Sequence, residues 1–376
     1  MTQLGDVCNF KEWKLAEVCD RLSSGKVIRS SELTGNGAYP VIGGNGERGR
    51  TETYNFDGEC AVVGRQGANC GNTRFFKGKA YMTEHAVVVQ GNEKVNTRYL
   101  AALLSTMHLG QLSAQSAQPG LSVKTLAKQT VTLPPRGVQD RAAILLTTFD
   151  DSIYNLNQTN GYLLEMMDAR CKKSVFGNER DCALNAVCSY VGDKTSALNA
   201  ESSTYVSTES LIASKGGRQL AASLPKSGKV TVYKAGDTLV SNIRPYFKKI
   251  WFADMDGTCS TDVLVFRAKN PSYKSLLFFT LYNDDFFAHL VAGSKGTKMP
   301  RGDKNQAMHY GIPTFDESLK QLASQANHVL ALVSSNSHQA KALAELRDAL
   351  LPKLMSGEIA VSKVELPTQA NSHLCD

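Results

Sequence analysis

The chain is written twice, and this constrains its fold more than any other feature. "LAEVCDRLSSGK" (15–26) returns as "LNAVCSYVGDK" (184–194), with Leu15, Val18 and Cys19 over Leu184, Val187 and Cys188. "DGECAVVGRQ" (57–66) lies over "AGDTLVSNIR" (235–244), Gly58 on Gly236 and Glu59 on Asp237, 178 residues later. "MTEHAVVV" (82–89) meets "STDVLVF" (260–266) at the same 178-residue offset, Thr83-Glu84 on Thr261-Asp262. Finally "LLEMMDARCKKSVFG" (163–177) matches "LAELRDALLPKLMSG" (343–357) through Glu165/Glu345, Asp168/Asp348, Ala169/Ala349, Lys173/Lys353 and Gly177/Gly357. Self-similarity on this scale means one structural plan used twice. The 376 residues form a tandem of two globular-plus-helix units.

Each unit closes on a long helix. Phe315, Leu319, Leu322, Ala326, Val329, Val333, Asn336, Ala340, Leu343, Leu350 and Leu354 recur at alternating steps of four and three. Arg347 alone breaks this stripe, and Leu346 is expected to take its place. Val138, Ala142, Leu145, Phe149, Ile153, Leu156, Leu163 and Met167 repeat it in the first unit. A heptad stripe sustained this far marks helices that bury one narrow face on a partner. Asn160 and Asn336 fall on the two seams, where a polar side chain sets register at some cost in stability. The simplest pairing is of the two helices with each other, antiparallel; two separate homodimerising coils are the alternative. Gly161 should weaken the first helix and Pro352 kink or cap the second.

The globular parts read as β-rich α/β modules. "CAVVG", "AVVV", "KVTVY", "TLVS", "KIWFA" and "DVLVF" are short and β-branched, bounded by turns such as "GGNG" and "FDGE". "RYLAALLSTMHLGQL" and "YKSLLFFTLYNDDFFAHL" read as one amphipathic helix in each module. The fold class is α/β (α+β), two similar β-rich domains joined by two long antiparallel helices in a coiled-coil spacer. Boundaries fall at 1–133, 134–177 for the central helix, 178–312, 313–357 for the distal helix, and 358–376 for a tail.

Enzyme signatures are missing. The chain holds no G-x-x-x-x-G-K-[ST] phosphate loop. "GGNGERG" (43–49) does not join a strand to a long helix, so it is no dinucleotide cradle. Nine cysteines lack C-x-x-C spacing and suit a reducing cytosol, so no metal is expected. "FKGKA" (76–80), placed in a hairpin turn, and "NPSY" (270–273) are near misses to amino-methyltransferase elements, one lacking its last glycine and the other a proline. His85 falls opposite Val263, so Thr83-Glu84-His85 reads as a strand-entrance turn and not as acid–base machinery. No run of 18 apolar residues and no signal peptide are seen, which points to a cytoplasmic protein. The net charge of +7 permits a polyanionic partner without demanding one.

What remains is recognition. "GGNGERGR", "GRQGANCGNTR" and "SAQSAQPGLSVK" in unit one, and "SNIRPYFKK" and "GSKGTKMPRGDK" in unit two, are loops rich in Gly, Asn, Gln, Arg and Lys. Such side chains read base edges and phosphates. Solvated turns built from small polar residues are the plainer alternative for any one of them.

These stretches resemble the DNA-specificity (S) subunits of Type I restriction–modification systems. "YPVIGGNGERGRTETYNFDGECAVVGRQGANCGN" (39–72) with "TEHAVVV" is similar to a target-recognition domain of that family. "LPPRGVQDRAAI" (133–144) is similar to its Pro-Pro…Gln helix entry, and "LLPKLMSGEI" (350–359) to its distal helix end. "GIPTFDESLK" departs from the entry pattern, lacking the second Pro and the Gln. The resemblance implies a non-catalytic subunit with no cofactor of its own. Its two domains would each read half of a bipartite site on double-stranded DNA, spaced by the helices. Its partners would be two methyltransferase (M) subunits using S-adenosylmethionine, with restriction (R) subunits supplying ATP- and Mg-dependent steps. The residues assigned to base or phosphate contact are Arg48, Arg50, Arg65, Gln66, Asn72, Arg74 and Lys124, then Asn242, Arg244, Lys248, Lys295, Lys298 and Arg301. A specificity subunit of another DNA-modifying defence complex, or a duplicated protein-binding scaffold, are the alternatives.

Overall fold

Alternation of apolar residues builds the first sheet. In the computed structural model, which describes residues 10–113, 120–175, 179–359 and 361, the chain divides into two compact units. Unit 1 takes in residues 1–153 and 341–376, and unit 2 residues 154–340. In unit 1, six strands run in the order Cys19–Ser24, Ala86–Gly91, Phe56–Gly64, Thr73–Met82, Tyr39–Gly43 and Gly46–Thr51. Ala61, Val63, Val87 and Val89 bury one face beneath the helix Thr97–Thr106. Cys60, Val62 and Val88 bury the other with Ile42, Phe56, Ala80 and Met82. Strands buried on both faces in this way hold the sheet rigid, each buried valine contributing about 1.5–3 kcal/mol. "GGNG" turns the hairpin between Tyr39–Gly43 and Gly46–Thr51, as expected. "FDGE" and "FKGKA" are not turns: Gly58 and Gly78 face each other inside paired strands.

Asn96 caps Thr97–Thr106 by accepting from the amides of Arg98 and Tyr99. Gln139 of the Pro-Pro…Gln entry is buried, accepting from the Asn96 amide (2.9 Å) and donating to the Pro134 carbonyl (2.8 Å). One side chain thereby ties the start of the long helix to the sheet's covering helix.

In unit 2 the sheet divides. Cys188–Tyr190, Val263–Ala268, Thr238–Ser241 and Ile250–Phe252 form one four-stranded sheet. Lys194–Ser196, Lys229–Tyr233, Gly257–Cys259 and Tyr205–Val206 form a second. The stretch read as one amphipathic helix is two, Lys274–Tyr282 and Asp284–Ala292. Asn283 breaks it by adopting an extended conformation and capping the second helix at the Asp285 amide. The first piece is buried on all sides from Ser275 to Leu281, so it is a core helix. Where the distal helix lacks the entry Gln, Asp316 accepts from the Ser318 amide and its carbonyl accepts from the Tyr273 hydroxyl (2.8 Å).

The long helices span Arg136–Ser174 and Lys320–Ser356. In unit 1, Ala142 and Leu146 share a core with Leu354 and Met355, while Asp150 meets Arg347. In unit 2, Asn160 meets Asn336, while Met167 and Cys171 share a core with Ala326 and Leu330. Within each unit, numbers rise on one helix as they fall on the other, so the packed segments are antiparallel. Leu346 does not replace Arg347 on the seam; it is 48% exposed. The arginine stays because its guanidinium reaches Asp150 at 2.6 Å. Helical geometry continues through Gly161 and Pro352. Of the expected tail, Val361 is buried in unit 1 and the rest lies outside the described residues. No helix among the described residues is long and apolar enough to cross a membrane.

The two units share one hydrogen-bond plan. The amides of Gly64, Arg65 and Thr83 donate to the carbonyls of Asn72, His85 and Ile42. The amides of Ser241, Asn242 and Ser260 donate to those of Lys249, Asp262 and Val206. The true offset in this region is therefore 177, one less than residue identities suggest. Thr83-Glu84-His85 corresponds to Ser260-Thr261-Asp262, and His85 has a counterpart after all, Asp262. The Ala86 and Val263 amides close the same turn on Thr83 and Ser260 at 3.0 and 2.9 Å.

Candidate nucleic-acid interface

In unit 1 the strand Phe56–Gly64 delivers Arg65 to one end of the sheet. Its amide donates to the His85 carbonyl and its carbonyl accepts from the Leu121 amide at 2.8 Å, so the chain here is clamped on both sides. The half-buried Arg65 guanidinium reaches the Ser24 hydroxyl at 3.4 Å, and Gln66 beside it is exposed. Asn72 and Arg74 are exposed along an open groove lined also by Gly71, Thr73, His108 and Gln111. Arg74 donates to the Asn45 carbonyl at the hairpin turn (2.6 Å), and exposed Arg48 lies over Gly43 of the same hairpin. Arg48, Arg65, Gln66, Asn72 and Arg74 thus share one sheet end. Exposed Lys124 follows on the short helix Val123–Ala127. Arg50 differs: it spends its donors on the carbonyls of Gly37 (2.6 Å) and Ala38 (3.0 Å) and on Glu47 (3.5 Å). Glu84 and His85 do touch, at 3.0 Å, on the turn that opens the strand Ala86–Gly91. Part of "SAQSAQPGLSVK", residues 114–119, lies outside the described residues.

The same end of unit 2 is built from residues 242–249 and 293–303. Ile243 and Lys295 each bridge to Arg301, the Arg244 amide donates to the Pro300 carbonyl, and the Gly302 amide donates to the Asn242 carbonyl. Asn242, Arg244, Lys295 and Arg301 are joined by backbone, with exposed Lys298 between the last two. Arg301 pairs with Asp262 (3.1 Å), and Lys295 with Asp303 (3.5 Å). The Asn242 Oδ1 and Arg244 Nε atoms are buried without hydrogen-bond partners. Lys248 and Lys215 converge on Asp284, and the Lys215 hydrogen bond above all holds that carboxyl below its ordinary range.

One contrast between the units escapes the sequence. Gly67 and Gly71 flank a short 3-10 turn in unit 1, with φ of +75° and +82°. Their counterparts in unit 2 are Arg244 and Lys248, both at φ +50°. A side chain in left-handed geometry costs about 1–2 kcal/mol where glycine costs little. The residues between them, Tyr246 and Phe247, stand 50% and 40% exposed. "SNIRPYFKK" contained this quartet, but no sequence signal marks the backbone strain.

Residues 8–164 match the family model described as the Type I restriction modification DNA specificity domain. The chain is 43% identical over 112 residues to the EcoprrI specificity subunit of Escherichia coli, covering 30% of this chain and 28% of that one. It is 26% identical over 147 residues to the MpnII specificity subunit of Mycoplasma pneumoniae, covering 38% and 44%. The matched stretches thus span 28% and 44% of the length of these relatives. A solved S subunit of a Type I restriction–modification system from M. genitalium shares the fold, with a TM-score of 0.57 at 15% identity, over 94% of this chain and 98% of that one. Residues 8–164 thus match the Type I restriction modification DNA specificity domain, and the fold of a solved S subunit extends along nearly the whole chain.

Proposed function

We propose that this chain is the sequence-reading, non-catalytic subunit of a DNA-methylating restriction complex. Each unit would read one half of a bipartite site on double-stranded DNA, the long helices setting the gap and docking two methyltransferase subunits. R subunits would join that assembly for cleavage. S-adenosylmethionine, ATP and Mg would belong to those partners. The observation that carries the reading is the matched sheet end, one hydrogen-bond plan offering Arg65, Gln66, Asn72 and Arg74 in one unit and Asn242, Arg244 and Arg301 in the other. Guanidinium and amide side chains on a rigid backbone are what base edges and phosphates require.

The test is binding of the chain with its methyltransferase subunit to duplexes whose half-site spacing changes by one base pair. Affinity should collapse with the altered spacing and fall steeply with salt. Indifference to spacing would sink the ruler role. Indifference to salt would favour a protein-binding scaffold.

A further inference from the structure

Residues 244–248 are built differently from their counterparts in unit 1, and at a cost. Both loops take the same path: the Cys70 amide donates to the Gly67 carbonyl as the Phe247 amide donates to that of Arg244, each at 3.0 Å. Unit 1 uses glycine at both left-handed positions, whereas unit 2 forces Arg244 and Lys248 into them. Strain of this kind persists where the side chain has a task. Between the cations, Tyr246 and Phe247 pack on each other with ring centroids 4.7 Å apart and keep much of their surface in water. The Ser214 and Lys215 amides donate to the Phe247 and Lys248 carbonyls (2.8 and 2.9 Å) from a second left-handed pair. The rings are therefore held out on a stiff support. Unit 1 has Asn69 and Cys70 at these positions.

We propose that this loop is a thymine-reading finger: Tyr246 and Phe247 pack on a thymine C5-methyl in the major groove, with Arg244 and Lys248 toward the flanking phosphates. The proposal rests on the DNA-reading role given above and assigns a base preference to one loop of unit 2. The thymine methyl is the one apolar group that base edges present in that groove, so it is the natural partner for a ring pair with cations on either side.

The experiment selects random-sequence duplexes with the full chain, comparing wild type, Tyr246→Ala/Phe247→Ala and Arg244→Gly/Lys248→Gly. The selected duplex is then remade with uracil for each thymine in turn. For wild type, uracil at one or two positions in one half-site should weaken binding about fourfold each, the worth of one buried methyl. The double alanine variant should lose that sensitivity and leave the other half-site's preferences intact. The double glycine variant relieves two left-handed side chains but gives up the Lys248–Asp284 pair, so it should lose the thymine preference with little net change in melting temperature. A purely structural loop would instead unfold more easily in that variant and keep its preference, which overturns the proposal. Wild-type binding indifferent to uracil at every position overturns it too. Failure of the wild type to enrich any sequence would overturn the DNA-reading role itself.

Discussion

Replacing the buried amide pair of the helix seam tests whether polar register or apolar burial governs the rod in unit 2. Asn160 and Asn336 are 8% and 9% exposed. The Asn336 side-chain amide donates to Asn160 Oδ1 at 2.9 Å, and Asn160 donates to the Ser337 hydroxyl (3.1 Å) and the Val333 carbonyl (3.3 Å). Leucine keeps the same branched arrangement of heavy atoms and contributes about 1.5–3 kcal/mol when buried. Asn336→Leu alone loses a hydrogen bond of about 1 kcal/mol and strands Asn160 Oδ1 at a further ~1–3 kcal/mol. The single variant should therefore be neutral to mildly destabilised. Asn160→Leu/Asn336→Leu removes the stranded group and buries two leucines, so it should exceed the wild type by up to about 3 kcal/mol. The assay is a urea-denaturation double-mutant cycle, with an expected coupling of about 1–3 kcal/mol. Additive single effects, within about 0.5 kcal/mol, would refute the claim that these amides act as one buried unit.

Three further outcomes follow from particular contacts. Arg65→Ala should weaken duplex binding by roughly 1–3 kcal/mol if it reads a base, whereas Arg50→Ala should leave binding intact and lower stability, since its donors hold the 37–38 backbone; filter binding and thermal melts separate the two. Asp237 is 2% exposed and takes two bonds from Arg267 (2.7 and 2.6 Å), so Asp237→Ala should cost about 3–5 kcal/mol in a melt, partly recovered by adding Arg267→Met. Lys215 and Lys248 depress the folded-state pKa of Asp284, so their stabilisation is present above the free carboxylate's value of roughly 3.9 and is lost as pH falls through the folded value. Asp284→Asn should flatten the acid limb of the stability profile, and an unchanged limb would refute the assignment.

The duplication and the two long helices were legible in the sequence because heptad periodicity and repeated β-branched segments are properties of consecutive residues. The Asn160/Asn336 seam positions were legible for the same reason, and Gln139 through the resemblance of its helix entry. The register between the repeats was not: identities suggested 178 residues, while the paired amides of Arg65 and Asn242 set it at 177. Strands tolerate small polar replacements at their ends, so identity drifts by a residue where hydrogen-bond pairing does not. Other outcomes depended on partners distant in the chain. Arg50 is absorbed by the Gly37 and Ala38 carbonyls, Arg347 holds the seam through Asp150, and Asn283 cuts one apparent helix into two. The left-handed backbone at Arg244 and Lys248 is likewise imposed by the folded loop. Sequence alone determined which segments repeat and which faces must be buried, because side-chain chemistry and spacing suffice for that. Only tertiary structure decided which polar groups are already satisfied and which remain to meet a ligand, because a hydrogen bond is completed by an atom that the local sequence does not contain.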